Sequence, residues 1–318
     1  MSSSMTTVIS VTFESIISRQ IKFYLVLLFQ LLSVFCSLLL FYQYSINRRQ
    51  LKSLHNHAIV LLLITSFLST TTSLPMLQQY LYNGYVTPST DGFCSYWAFN
   101  VYTLSGINLF LMAFLSIERH LLIFKGPMMS NKKNQYFYHY LPILFCILYP
   151  FLFYLVVIYF YQCENNYDYA QLLCVAPCYA FTNIGIYDTI INCCLPIVFI
   201  FIFSSALVLR VVKQKRKLKL QPFKWKRDRK MTLQLLVITL VYCLLWTPMN
   251  ACTLIETFFM VDTTLLQAQT LYFYYFSYLV PIIYPFVCLA FGSKDSIKLA
   301  FQKFRLIRFT RNTITPIQ

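Results

Sequence analysis

Charge is what this 318-residue chain has least of. Lys, Arg, Asp and Glu together make up 11% of it, less than half of the roughly 25% usual in a soluble domain. A chain so poor in charge cannot solvate a globular surface. The shortage is sharpest for acids: 10 stand against 26 basic residues, a formal net charge of +16. Such an excess by itself suggests nucleic acid. A nucleic-acid binder, however, needs its basic face on a water-soluble fold, and a mean hydropathy of +0.60 with 58% hydrophobic residues excludes one. Disorder is excluded by 30 Phe, 25 Tyr and 3 Trp, far too many for a chain without a packed interior. No Asn-x-Ser/Thr sequon occurs, so N-glycosylation is not expected. No Cys/His spacing suits a metal and no His/Asp/Glu constellation lies within the apolar segments, so neither a metal, a cofactor nor an enzyme is expected. What remains is an integral membrane protein whose solvent is the lipid bilayer.

A spanning helix needs about 20 mostly apolar residues. Windows free of Lys, Arg, Asp and Glu run 23–47, 53–90, 92–117, 134–163, 189–209, 231–255 and 263–293, which predicts seven spans. The second window ends in turn chemistry from Asn83 to Thr90. An eighth uncharged stretch, 169–187, is broken by Cys174, Pro177, Cys178, Asn183 and Gly185 and reads mostly as a loop feeding the fifth span. The basic residues then sort by side. The first loop holds Arg48, Arg49 and Lys52, and the third holds Arg119, Lys125, Lys132 and Lys133. The fifth loop holds eleven between Arg210 and Lys230, and the C-terminal tail six between Lys294 and Arg311, whereas the second, fourth and sixth loops hold none. The positive-inside rule makes the odd loops and the C-terminus cytoplasmic and the N-terminus external. Met1–Gln20 is polar, so no cleavable signal peptide is expected and the first span serves as the targeting signal. The expected organisation is an external tail over 1–20, one seven-transmembrane domain over 21–293, and an amphipathic segment with a cytoplasmic tail over 294–318. The fold class is all-α, a seven-helix membrane bundle with a short amphipathic eighth helix.

In the third span Ser116-Ile117-Glu118-Arg119-His120 is similar to the D/E-R-Y motif of rhodopsin-like (class A) G-protein-coupled receptors. Cys94 lies 25 positions before Arg119, about 37 Å along a helix, matching that family's separation of disulfide cysteine and motif arginine. Leu245-Trp246-Thr247-Pro248 resembles C-W-x-P in the sixth span, and Val280-Pro281-Ile282-Ile283-Tyr284 resembles N-P-x-x-Y in the seventh. Pro75, Pro196 and Phe291 fit family positions too. The resemblance covers nearly the whole chain and implies a receptor at the plasma membrane that binds an extracellular ligand and activates a heterotrimeric G protein. Glu118, Arg119, His120, Asp228, Trp246, Pro248, Pro281 and Tyr284 are then the switch and coupling residues. Asp228 is the candidate partner of Arg119, an ion pair that would hold the third and sixth spans together. Proline removes a backbone hydrogen bond, so Pro248 beside Trp246 makes a hinge that ligand contact can bias.

Four cysteines, Cys94, Cys163, Cys174 and Cys178, fall on the outer side, where oxidation is expected. They allow three connectivities. The family pattern, which ties the third helix to the second outer loop, favours Cys94–Cys178 with Cys163–Cys174; Cys94–Cys174 is the alternative. The sequence also departs from the family. Ser66, Asn108 and Val280 stand where a sodium-binding Asp and its helpers are usual, so no sodium sensitivity is expected. The third-span Asp of amine receptors is replaced by Val101, and the retinal lysine of opsins by Tyr274. Beyond the N-terminal tail the outer half carries acids but no bases, a field that attracts cations. Asp188 and Glu256, at the outer ends of the fifth and sixth spans, are the strongest candidates. A short basic peptide fits best, in a cavity lined by Val101, Tyr102, Ser105, Asn250, Thr270 and Tyr274. The rival readings are a seven-helix channel or transporter, disfavoured because the span interiors almost lack ionisable groups, and a silent or decoy receptor.

Overall fold

The computed structural model describes residues 15–46, 54–124, 131–217, 222–258 and 268–291. Seven helices among them are long and apolar enough to cross a membrane, which makes the chain a multi-pass membrane protein. Hydrocarbon offers no partner to a backbone N–H or C=O, so each apolar segment must satisfy its own. The first helix is Ile16–Ile46, the second runs over 54–83, and the third is Asp91–Phe124. The fourth covers 132–159, the fifth 183–217, the sixth is Pro222–Phe258, and the seventh covers 268–291. The eighth helix expected over 294–318 lies outside the described residues.

Helices overrun the charge-free windows where charged residues are tolerated by water. The fifth continues through a Lys- and Arg-rich stretch to Lys217 and begins at Asn183, six residues before its window. Its start is capped by Thr182, whose hydroxyl accepts from the Ile184 N–H at 3.3 Å. The first helix begins at Ile16 and carries Lys22, whose ammonium donates to the Leu271 carbonyl at 2.6 Å and lies 4.1 Å from the Tyr275 ring centroid. That pair ties the first helix to the seventh through a hydrogen bond and a cation–π contact.

The second helix is interrupted by a π turn over Ser69–Ser73. The cause is local: Thr70 and Thr71 bond back to the Phe67 carbonyl (2.9 and 2.8 Å) and Thr72 to that of Leu68 (2.7 Å). Pro75 then removes the next donor, and the ladder widens. The helix ends at Gly84, whose φ of 83° and N–H to the Tyr80 carbonyl (2.8 Å) form a left-handed cap.

The third helix is the axis of the bundle, with 67% of its spanning window buried, and it packs on the second, fourth and fifth. Gly106 lets the fourth helix approach: a Cβ there would meet the Tyr154 ring at 3.1 Å and Pro150 at 3.2 Å. The fourth helix turns Leu141, Leu144, Phe145, Leu148, Leu152 and Val156 outward, a stripe at helical spacing that suits acyl chains. Among lipids the helices gain little from apolar burial, so contact and polar ties hold them. One such tie is Tyr284, which donates to the Ile59 carbonyl at 3.0 Å and joins the seventh helix to the second.

Candidate functional site

A cavity of about 660 Å³ opens at the end of the bundle that carries the disulfides, within the usual size of small-ligand sites. Val101, Tyr102 and Ser105 of the third helix line it, with Asp188 of the fifth, Asn250 and Glu256 of the sixth, and Tyr274 of the seventh. Thr270 lies on the seventh helix, but its side chain is outside what is described. Trp246 closes the floor, and its carbonyl accepts from the Asn250 amide at 2.8 Å. Pro248, two residues further on, cannot donate to the Leu244 carbonyl, so the sixth helix carries its weak point beside the cavity floor.

The loop over the cavity is seated by a chain of bonds. Tyr169 donates to Asp91 at 2.6 Å, Tyr167 and Ser95 share a hydrogen bond of 2.9 Å, and the Val86 N–H bonds the Tyr169 carbonyl at 2.8 Å. The bond to Asp91 raises the Tyr169 phenol above its ordinary value. Asp168 accepts from the Ala170 N–H and the Gln171 amide, so it organises its own turn. The chain then turns through Leu173, Cys174 and Val175, all with positive φ, and this seat carries Cys174 onto Cys94.

The disulfides are Cys94–Cys174 (Cα–Cα 5.9 Å) and Cys163–Cys178 (6.0 Å). The favoured Cys94–Cys178 and Cys163–Cys174 pairing is therefore corrected to its alternative. Asn165 accepts from the Cys178 N–H at 2.8 Å and holds Cys178 beside Cys163, away from the third helix.

The two acids of the cavity differ. Three donors converge on Asp188: the Tyr154 hydroxyl (3.0 Å), the Tyr179 hydroxyl (3.1 Å) and the Asn192 amide (2.8 Å). Tyr179 lies in the loop, where burial first and Asp188 second push its phenol well above the ordinary value, so it stays a donor. Asn192 in turn accepts from Tyr149 at 2.8 Å. Asp188 thus joins the fourth helix, the fifth helix and the loop. Among the described residues Glu256 has one partner, the Gln269 amide: turned so that its oxygen accepts from the Thr253 hydroxyl at 3.1 Å, that amide sets its nitrogen 2.6 and 2.9 Å from the two Glu256 oxygens as a donor. The other acceptor positions of Glu256 face the cavity.

Below Trp246 lies a cavity of about 20 Å³, lined by Ser69, Ser73, Ser105, Asn108, Ser277 and Val280 among others, with no carboxylate among the described residues. Asn108 accepts from Thr65, and Ser66 is buried nearby.

At the opposite end, Glu118, Arg119 and His120 are all buried. His120 bonds the Phe203 carbonyl of the fifth helix at 2.6 Å, and Glu118 bonds His139 of the fourth. The Asp228 side chain, the expected partner of Arg119, is outside the described residues. Pro281 and Tyr284 are buried on the seventh helix, where Pro285 adds a second missing donor. His57, His139, Tyr154, Tyr179, Asn192 and Gln269 were not singled out from sequence. Each matters through a partner on another element, which no local pattern announces.

The sequence model of one family, 7 transmembrane receptor (rhodopsin family), matches residues 37–287. No curated protein matches the chain.

Proposed function

The chain belongs to the rhodopsin family of seven-transmembrane receptors, and from that premise we propose that it binds a cationic extracellular ligand, a short basic peptide, and activates a heterotrimeric G protein. The single observation that carries the ligand reading is Glu256: a carboxylate that has, among the described residues, one amide partner and stands on the wall of a cavity that no described Lys or Arg lines. A guanidinium or ammonium entering there meets an acceptor that costs no existing bond beyond the Gln269 contact. Asp188, already held by three donors, shapes the wall instead. Five tyrosines among the lining residues, Tyr102, Tyr154, Tyr179, Tyr274 and Tyr278, give the ligand aromatic surface and faces for a cation.

The receptor sits in the plasma membrane with the disulfide end outside and the Glu118-Arg119 end inside. The basic odd loops support that orientation. Ligand contact with Trp246 biases the hinge at Pro248, the sixth helix swings outward, and the G protein enters between the third, fifth and sixth helices beside Arg119. A G-protein activation sensor in cells expressing the chain, challenged with short basic peptides with free and amidated C-termini, tests this. Activation that Arg119→Ala abolishes and Glu256→Gln weakens is the expected result. Currents or solute flux without activation would mean a channel or transporter, and surface binding without activation a decoy.

A further inference from the structure

Gln269, on the π turn Gln269–Phe273 near the start of the seventh helix, is buried and reaches one face of the sixth. Met249, Thr253 and Glu256 fall on that face at helical spacing, and all three line the cavity on the outer side of the Pro248 hinge. The end of the Gln269 side chain lies 3.8 Å from the Met249 sulfur. With its oxygen accepting from the Thr253 hydroxyl, its nitrogen stands 2.6 and 2.9 Å from the two Glu256 oxygens. A donor so placed occupies the face between the two oxygens, where a planar guanidinium sets its two parallel N–H bonds. The π turn is anchored from the other side as well. Lys22 of the first helix donates to the Leu271 carbonyl at 2.6 Å and lies 5.5 and 4.1 Å from the Tyr272 and Tyr275 ring centroids.

We propose that Gln269 sets the specificity of Glu256 for arginine-type cations and converts their arrival into movement of the sixth helix. A guanidinium binds a carboxylate best through two parallel bonds, and Gln269 holds the face that such a pair needs. To take that face, the guanidinium must displace the amide. Two bonds between opposite charges outweigh one from a neutral amide, so the exchange runs in its favour. Once displaced, Gln269 no longer ties Thr253 and Glu256 to the seventh helix, and the arm of the sixth beyond Pro248 is free to tilt. Lys22 keeps the π turn in place, so the sixth helix is the part that moves. An ammonium is a compact point charge with no fork to match. It binds the Glu256 acceptor positions that face the cavity, beside the amide, and leaves the arm held. The specificity rests on the proposed cationic ligand for its occupant, whereas the Gln269 tie rests on the fold alone.

The test uses the full chain in lipid nanodiscs, with a trifluoromethyl-phenylalanine in place of Phe258, which is exposed at the outer end of the sixth helix. Its ¹⁹F spectrum separates held from released arms. Gln269→Glu sets two carboxylates face to face and should populate the released signal. Adding Glu256→Gln exchanges the two partners between the helices and should restore the held one. A Gln269→Glu chain with the natural spectrum, or a double variant that stays released or unfolded, would overturn the tie. Arginine amide and lysine amide probe the specificity. Arginine amide should raise the released signal, whereas lysine amide should shift the held signal without releasing it. In Gln269→Leu the face is open, and arginine amide should bind about tenfold more tightly while lysine amide changes by less. Equal release by both amides, or an unchanged arginine amide affinity in Gln269→Leu, would overturn the specificity. If neither amide binds while the exchanged pair restores the held signal, the tie stands and the cationic-ligand reading fails, taking the specificity with it.

Discussion

Replacing Asp188 and Glu256 in turn should separate stability from recognition. Asp188→Ala removes the acceptor from the Tyr154 and Tyr179 hydroxyls and the Asn192 amide. Each buried donor left unmade costs about 1–3 kcal/mol. The hydroxyls can turn toward the cavity, so the lower half of the range applies, about 3–6 kcal/mol in all. Asp188→Asn keeps the shape and exchanges charged hydrogen bonds for neutral ones, at about 1 kcal/mol each. Glu256→Gln disturbs one amide contact, and its effect on stability should stay within about 0.5 kcal/mol. A ligand cation, by contrast, loses a charged partner there worth about 1.5–3 kcal/mol, a loss of about 10- to 150-fold in potency. Thermal denaturation of purified protein and concentration–response curves with an activating basic peptide read the two quantities. The expected pattern is a lowered midpoint with Asp188→Ala, a smaller shift with Asp188→Asn, and a potency loss alone with Glu256→Gln. The reasoning is refuted if Asp188→Asn cuts potency at unchanged stability while Glu256→Gln leaves potency intact.

Peptide mapping without reduction should recover Cys94 joined to Cys174 and Cys163 joined to Cys178; a Cys94–Cys178 fragment would contradict the loop seating. Exchange of sodium for potassium should leave the thermal midpoint unchanged, because the cavity under Trp246 offers hydroxyls and an amide but no carboxylate to replace a hard cation's water; a sodium-specific rise would show otherwise. Asp228→Ala should raise basal G-protein activation at matched surface expression if that acid restrains Arg119, and unchanged basal activity would count against the pairing.

Much of the bundle was legible in the sequence because bilayer physics acts on composition. Charge-free windows of the required length yielded the seven spans, and Asn83-Gly84 announced where the second ends. The motif positions Glu118, Arg119, Trp246, Pro248, Pro281 and Tyr284 were read from their resemblance to family motifs, and rise per residue added only the distance from Cys94 to Arg119 along one helix. The helix starts were harder to read. Asp188 was treated as the edge of a span, yet it lies within the fifth helix because Tyr154, Tyr179 and Asn192 satisfy it there. The cysteine pairing was harder still, since Leu173, Cys174 and Val175 take left-handed conformations that such residue types do not advertise.

By itself, then, the sequence determined the solvent, the number of crossings and the order of the motifs, because each depends on composition or on separation along one helix. Tertiary structure alone decided that Cys174 reaches Cys94, that three donors converge on Asp188 and one amide on Glu256, and that Glu118 bonds a histidine of the fourth helix. The partners come from elsewhere in the chain: Tyr154 is 34 residues from Asp188, and His57 is 82 from His139. A hydrogen bond depends on a few tenths of an ångström between such segments, and only the packed bundle sets that distance.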